Sequence, residues 1–211
     1  MSNSFIESIH DTQVNITTRE IFLHGFYADE DPGVDYRMAN TFLKNIRILQ
    51  HKSTKPIVVH QHTEGGHWDS GMVIFDSIAS CRCPVILVMW GAASSMGSII
   101  PQAADYRIIS ENCYMLIHDG SEDYSGTHKQ IQEHLKHSKV IREKMLSIYG
   151  ESCIDGEFFS GWEQNKIESF IKKQLNNKED WILSAEEAVK YGFADKILTD
   201  KTIESVKKEY E

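Results

Sequence analysis

Cysteine is scarce in this chain, four in 211 residues, and Cys81, Cys83, Cys113 and Cys153 form no Cys-x-x-Cys pair. That excludes a disulfide scaffold and a zinc ribbon, and reduced thiols in a cytoplasmic setting are the expectation. The opening Met1-Ser-Asn-Ser-Phe-Ile6 lacks the basic and apolar regions of a secretory leader. No apolar run nears the roughly 18–20 residues of a membrane span, because Gly, Ser and Pro101 interrupt the longest one, so no membrane partner is expected. Basic excess is missing too. The 22 Lys and Arg stand against 31 Asp and Glu, a formal charge of −9, which excludes a nucleic-acid binder built on a basic patch and favours solubility. Without a Gly-x-x-x-x-Gly-Lys phosphate loop, any dependence on ATP belongs to a partner chain, and no cofactor is expected. Repeats and low-complexity linkers are also absent, and 41% hydrophobic with 25% charged residues is ordinary globular usage. One domain over 1–211 is the organisation this implies.

What is present begins with an elbow. The apolar run Pro84-Val-Ile-Leu-Val-Met-Trp90 reads as a buried strand, followed by Gly91-Ala-Ala-Ser-Ser-Met-Gly97 and a second apolar stretch from Ser98. Small residues stand where a strand turns sharply into a helix. Such a turn projects a serine hydroxyl, and the next backbone N–H is left unpaired at the positive end of the helix dipole, ready to hold an oxyanion. The chemistry this suggests is acyl transfer. It is not the Gly-x-Ser-x-Gly of α/β-hydrolases, since no glycine stands two residues before Ser94 or Ser95, and a serine at a helix start is also a plain N-cap.

Two further segments converge on the same chemistry. The strand Ile57-Val-Val-His-Gln-His62 runs into Thr63-Glu-Gly-Gly66, and a helix follows with Met72, Phe75 and Ile78 on one face. A Gly-Gly after a strand lets backbone approach a substrate closely, and the Gly66 N–H is a candidate second oxyanion donor, although a tight turn explains the glycines equally. The strand Tyr114-Met-Leu-Ile-His118 ends in His118-Asp-Gly120, an imidazole at the carboxyl end of a strand, where open α/β sheets build their sites.

Elsewhere, Glu20 to His24 reads as a strand, and Met38, Phe42, Ile46 and Leu49 mark a helix face, with an acidic turn-rich loop at Ala28–Gly33 between them. Residues 126–149 form a long helix with Ile131, Leu135, Ile141, Met145 and Ile148 on one side. Ser184 and Glu187 make a capping box, and Gly192 a stop, for a short helix at 185–191. The ten histidines invite a metal reading through His60, His62 and His67, or through His128, His134 and His137 on the long helix. Their spacing matches no His-Glu-x-x-His helix, so no metal is expected.

Taken in order, these pieces resemble the Clp peptidase family (ClpP), self-compartmentalising serine proteases of the crotonase-like superfamily. Ala93-Ser-Ser-Met-Gly97 is similar to its nucleophile motif, with the serine before methionine, which selects Ser95. Glu64-Gly65-Gly66 is similar to its Pro-Gly-Gly turn, Leu116-Ile117-His118 to its Met-Ile-His strand, and Leu183-Ser-Ala-Glu-Glu-Ala188 with Tyr191-Gly192 and Asp195 to Leu198 to its closing helix and strand. The likeness covers about 19–198. It implies an α/β fold of repeated β-β-α, crotonase-like units in which the helix at 126–149 is a protruding handle joining two rings; the residues alone favour an ordinary packed helix.

The resemblance implies a serine endopeptidase acting on polypeptide substrates inside a ring-forming homo-oligomer, with an ATP-dependent unfoldase as partner. The segment before Arg19 reads as too short for the family's axial pore loops, which argues against docking to a Clp-type unfoldase. His118 would deprotonate Ser95, and the N–H groups of Gly66 and Met96 would hold the oxyanion. For the third residue, counting back eight positions from Ser184 lands on Asn176 where an aspartate is expected. Ser152 to Gln164 reads as an insertion, and a slipped register would make Asp180 the orienting residue instead. Two rival functions follow: a catalytically weak or silent subunit of the same fold, or a crotonase-like acyl-CoA enzyme using Glu64 as acid/base.

Overall fold

The structure is a computed structural model in which residues 3–25 and 33–210 are described, with side chains from Ile6 onward. Most of the acidic loop expected at Ala28–Gly33 lies outside the described residues. A first helix, α1 (Asn3–Thr12), precedes the short strands β1 (Val14–Asn15) and β2 (Glu20–Leu23). Helix α2 (Tyr36–Lys52) starts at Asp35, whose carboxylate accepts the Met38 N–H at 2.7 Å, and it buries Met38, Phe42, Ile46 and Leu49 as the spacing predicts. Then come β3 (Ile57–Thr63), α3 (Trp68–Ala79), β4 (Val85–Ser94), the single turn α4 (Met96–Ile99), β5 (Tyr106–Ile109) and β6 (Tyr114–Ile117).

Strands β2 to β5 are parallel neighbours, and β4 decides the geometry of the rest. Its first half, Ile86 to Met89, pairs with β5, whereas Ala92 to Ser94 pair with β6. The switch falls at Gly91, whose φ of +60° lets the ten-residue strand change neighbours without stopping. Residues 85–89 are buried on both faces, which is why they read as an unbroken apolar run. One face meets the main core; the other carries Val58, Ile86, Val88 and Ile108, covered by Val206 of α8 (Thr202–Glu209).

Helix α5 (His128–Ser152) corrects the expected bounds of 126–149. It starts at the Thr127 capping box and runs past 149, and its apolar residues do not form one buried face. Met145, Leu146, Ile148 and Tyr149 are buried, but Ile131, Leu135 and Val140 are exposed by 37%, 55% and 60%. The C-terminal part of α5 packs against α6 (Gln164–Lys178), and its N-terminal part meets its own chain at His134, which stacks on Tyr124 with ring centroids 4.1 Å apart. Helix α3 likewise buries Gly71, Ile74 and Ile78 most deeply, leaving Met72 and Phe75 half-buried, because Gly71 faces Met96: a Cβ there would meet Met96 Cε at 2.0 Å.

Chain closure follows β7 (Trp181–Leu183), antiparallel to β6, then α7 (Ala185–Lys190) and β8 (Lys196–Ile197) beside β5. Helix α7 has the expected Ser184–Glu187 capping box and stops before Gly192, at φ +80°. The segment 152–164, which reads as an insertion in the sequence, carries an aromatic plug: Phe158, Phe159 and Trp162 pack with Phe170 and Tyr191, and Phe170 and Tyr191 in turn meet Trp181. Phe159 is fully buried. Phe159→Ala therefore costs about 3–5 kcal/mol, to be read as a lowered urea midpoint at fixed protein concentration; an unchanged midpoint would mean the plug contributes nothing.

Candidate active site

Strand β4 delivers Ser95 into an unusual conformation, φ 53° and ψ −122°, held because its N–H donates to the Leu116 carbonyl on β6 at 2.9 Å. Positive φ at a non-glycine residue costs on the order of 1–3 kcal/mol, and sharp strand-to-helix turns of this kind expose a nucleophile. The Ser95 carbonyl accepts from the Ser98 hydroxyl at 2.6 Å, and that hydroxyl lies 2.6 Å from the Tyr149 hydroxyl. Burial drives the Tyr149 phenol well above the ordinary tyrosine range, against the opposing pull of Ser98, so it stays protonated. Sequence reading missed this Tyr149–Ser98 support, because its members are 51 residues apart.

Beyond Ser95 the helix is shorter than the apolar stretch suggests. Helix α4 has four residues and passes into a 3₁₀ turn, Ile100–Ala103, carrying Pro101. Its dipole is correspondingly small, and the individual N–H of Met96, at the first helical position with no intrahelical partner, is the relevant donor. Gly66 supplies a second. Val34 N–H donates to the Gly65 carbonyl at 2.6 Å and the His67 N–H donates to the Val34 carbonyl at 2.8 Å, a parallel bridge that points the Gly66 N–H to the opposite side. Gly65, at φ +102°, lies so close to the elbow that a Cβ on it would stand 2.5 Å from Ser95 Cβ and 3.0 Å from Met96 N. Neither the Gly66 nor the Met96 N–H donates to another backbone group among the described residues.

His118 follows β6, and its Nε2 is 2.8 Å from Ser95 Oγ. Ser94, one residue earlier, is buried and its hydroxyl has no partner among the described residues. Of the two candidates for the third position, Asp180 lies against the imidazole, with Oδ1 3.5 Å from His118 Nδ1. The Asn176 amide oxygen is engaged elsewhere, accepting from Arg142 Nη2 at 2.9 Å. The physical reason is where α6 ends: Asn176 lies within the helix, whereas Asp180 follows it and immediately precedes β7, which pairs with the strand leading to His118. Arg142 also donates through Nε to Asp119 Oδ1 at 2.8 Å. Ser95, His118, Gly66 and Met96 share a cavity of about 260 Å³ walled by Trp68, Ile99, Ile141 and Met145.

A profile of the Clp protease family matches residues 12–201. The chain belongs to that family. Among its relatives is an ATP-dependent Clp protease proteolytic subunit 2 of Pseudomonas aeruginosa, 29% identical over 188 residues, 88% of this chain and 84% of that protein. A Clp protease proteolytic subunit of Deinococcus radiodurans is 26% identical over 175 residues, 82% and 79% of the two chains. In fold the chain is similar to a ClpP1 variant of Listeria monocytogenes, at a TM-score of 0.70 and 23% identity over 88% of this chain and 94% of that one. It is a Clp-family peptidase with the ClpP, crotonase-like fold.

Of the other residues singled out in the sequence, His67 lines the same cavity, whereas His60 and Glu64 are engaged elsewhere. His60 stacks on Phe22 with ring centroids 5.3 Å apart, accepts from Trp90 Nε1 at 3.2 Å, and is held below the ordinary histidine range by burial, with Glu20 opposing. Among the described residues no group of three His, Cys, Asp or Glu side chains is placed to hold a metal. Glu64 is exposed on the rim, with both carboxylate oxygens 3.4 Å from the Tyr114 hydroxyl. No described helix is long and apolar enough to cross a membrane.

Proposed function

We propose that this Clp-family chain is a serine endopeptidase in which Ser95 is the nucleophile, His118 the general base and Asp180 the residue that orients the imidazole. The observation that carries the reading is the 2.8 Å contact between His118 Nε2 and Ser95 Oγ, beside two N–H groups without backbone partners. In the forward step His118 takes the hydroxyl proton as Ser95 Oγ attacks the scissile carbonyl. The Gly66 and Met96 N–H groups hold the oxyanion, and His118 then protonates the departing amine. Water, deprotonated by the same imidazole, hydrolyses the acyl-enzyme. Asp180 fixes the tautomer that leaves Nε2 free to accept. The test is covalent labelling by a fluorophosphonate together with hydrolysis of a fluorogenic peptide: both are expected, and a silent subunit or an acyl-CoA enzyme would show neither.

The assembly that goes with this reading is a homo-oligomer, two stacked rings enclosing the sites, with the N-terminal part of α5 at the contact between them. Support comes from the exposed Ile131 and Leu135, one turn apart on the same face of the helix, apolar surface that a free chain leaves in water. Native mass measurement at micromolar concentration is expected to return a multiple of the 24.2 kDa chain mass; a monomer would overturn the assembly.

A further inference from the structure

Arg142, like Asp119 and Glu122, is a charged side chain lining the catalytic cavity to which the hydrolysis scheme gives no role, and it is the cation among them. It lies on α5 just before the buried part of that helix, between two segments that each end in a reacting group. Asp119, which takes its Nε bond at 2.8 Å, directly follows His118. Asn176, which takes its Nη2 bond at 2.9 Å, stands one helical turn before Asp180. A planar guanidinium donating in two directions fixes the distance and the relative orientation of its acceptors, which a lysine point charge does not.

The contact between those segments needs such a constraint. His118 Nδ1 and Asp180 Oδ1 are 3.5 Å apart, longer than a well-formed charge-assisted hydrogen bond. Asp180 is reached through a strained turn: Glu179 has φ 57° and ψ −66°, and the Asp180 N–H donates back to the Lys178 carbonyl at 2.7 Å. A positive-φ γ-turn of this kind is rare and persists only where its surroundings over-determine it. The Arg142–Asn176 bond anchors the last turn of α6 immediately ahead of it. Stability is a weak alternative explanation for Arg142, because its partner Asp119 is 40% exposed and half-exposed ion pairs contribute little.

We propose that Arg142 is a positioning residue that bridges Asp119 to Asn176 and thereby holds His118 and Asp180 in register. The inference rests on the serine-peptidase reading of this site, and it gives Asn176 a role as the acceptor on α6.

The experiment uses the full assembled chain and a fluorogenic peptide. Arg142→Met is expected to lower kcat by about 10–100-fold, as an ångström-scale misplacement does, with KM within about twofold. Introduced into an Asp180→Asn background, the same substitution should lower kcat less than about twofold further, since it acts through the group already removed. Asn176→Leu, at an exposed helix position, should reproduce the fall in kcat, and decides the matter if Arg142→Met does not assemble. Equal losses in both backgrounds, a loss confined to KM, or wild-type kcat in Asn176→Leu would overturn the proposal. Activity surviving Ser95→Ala would overturn the serine reading itself, whereas an inactive Ser95→Ala beside a fully active Arg142→Met overturns only the positioning role.

Discussion

Ser95→Ala is expected to abolish both peptide hydrolysis and fluorophosphonate labelling, while Ser94→Ala leaves most of each. The two hydroxyls are adjacent in sequence and opposite in circumstance. Ser95 Oγ stands 2.8 Å from the imidazole, and the Met96 N–H that would hold the oxyanion follows it directly. Ser94 is 3% exposed within β4, its hydroxyl without a partner among the described residues. Removing that hydroxyl takes away a buried unsatisfied group, which is neutral or stabilising. Removing the nucleophile of another serine protease lowers turnover by roughly 10⁶-fold, and a loss of that order in hydrolysis rate, with an unchanged native mass, is the result to look for. Labelling retained by Ser95→Ala would sink the assignment.

The second large effect belongs to Asp180. Asp180→Asn keeps shape and volume but presents an amide to His118 Nδ1, favouring the wrong tautomer and withdrawing the charge that stabilises the imidazolium. The corresponding change elsewhere costs about 10⁴ in turnover, and kcat should fall by that order with little change in KM. Asn176, whose oxygen is occupied by Arg142, does not substitute for it. Should Asp180→Asn keep its turnover while Asn176→Asp raises it, Asn176 is the orienting residue after all and the contact at Asp180 is incidental.

These two residues also mark where sequence reasoning succeeds and stops. The elbow at 91–97, the Gly-Gly turn and the capping box at Ser184 are legible because each is a local solution, with small residues or caps dictated by a few neighbouring atoms. The choice between Asn176 and Asp180 is not local. It depends on how the segment 152–164 packs ahead of α6, which the aromatic plug around Phe159 decides and pattern reading does not reveal. Helix α5 shows a different limit. Ile131 and Leu135 keep the same spacing whether they meet this chain's own core or another molecule, so periodicity finds the helix and not its occupant. The Tyr149–Ser98 pair and the Arg142 bridge join positions 51 and 34 residues apart, and no local pattern announces them.

The backbone at Ser95 implies a conflict between durability and reactivity. Glycine at that position adopts positive φ freely, saving on the order of 1–3 kcal/mol of steric strain against about 0.5–1 kcal/mol of added chain entropy. A chain selected only for persistence would therefore drift away from serine here, and toward glycine at Glu179 as well. On the serine-peptidase reading, two of the four described non-glycine residues with positive φ, Ser95 and Glu179, stand at or beside the reacting groups, the others being Gln13 and Arg19, so the fold is kept below its stability optimum where hydrolysis makes its demands. Thermal robustness and turnover are opposed by construction, and a lineage that abandoned proteolysis would be expected to relax at residues 95 and 179 before its core changed.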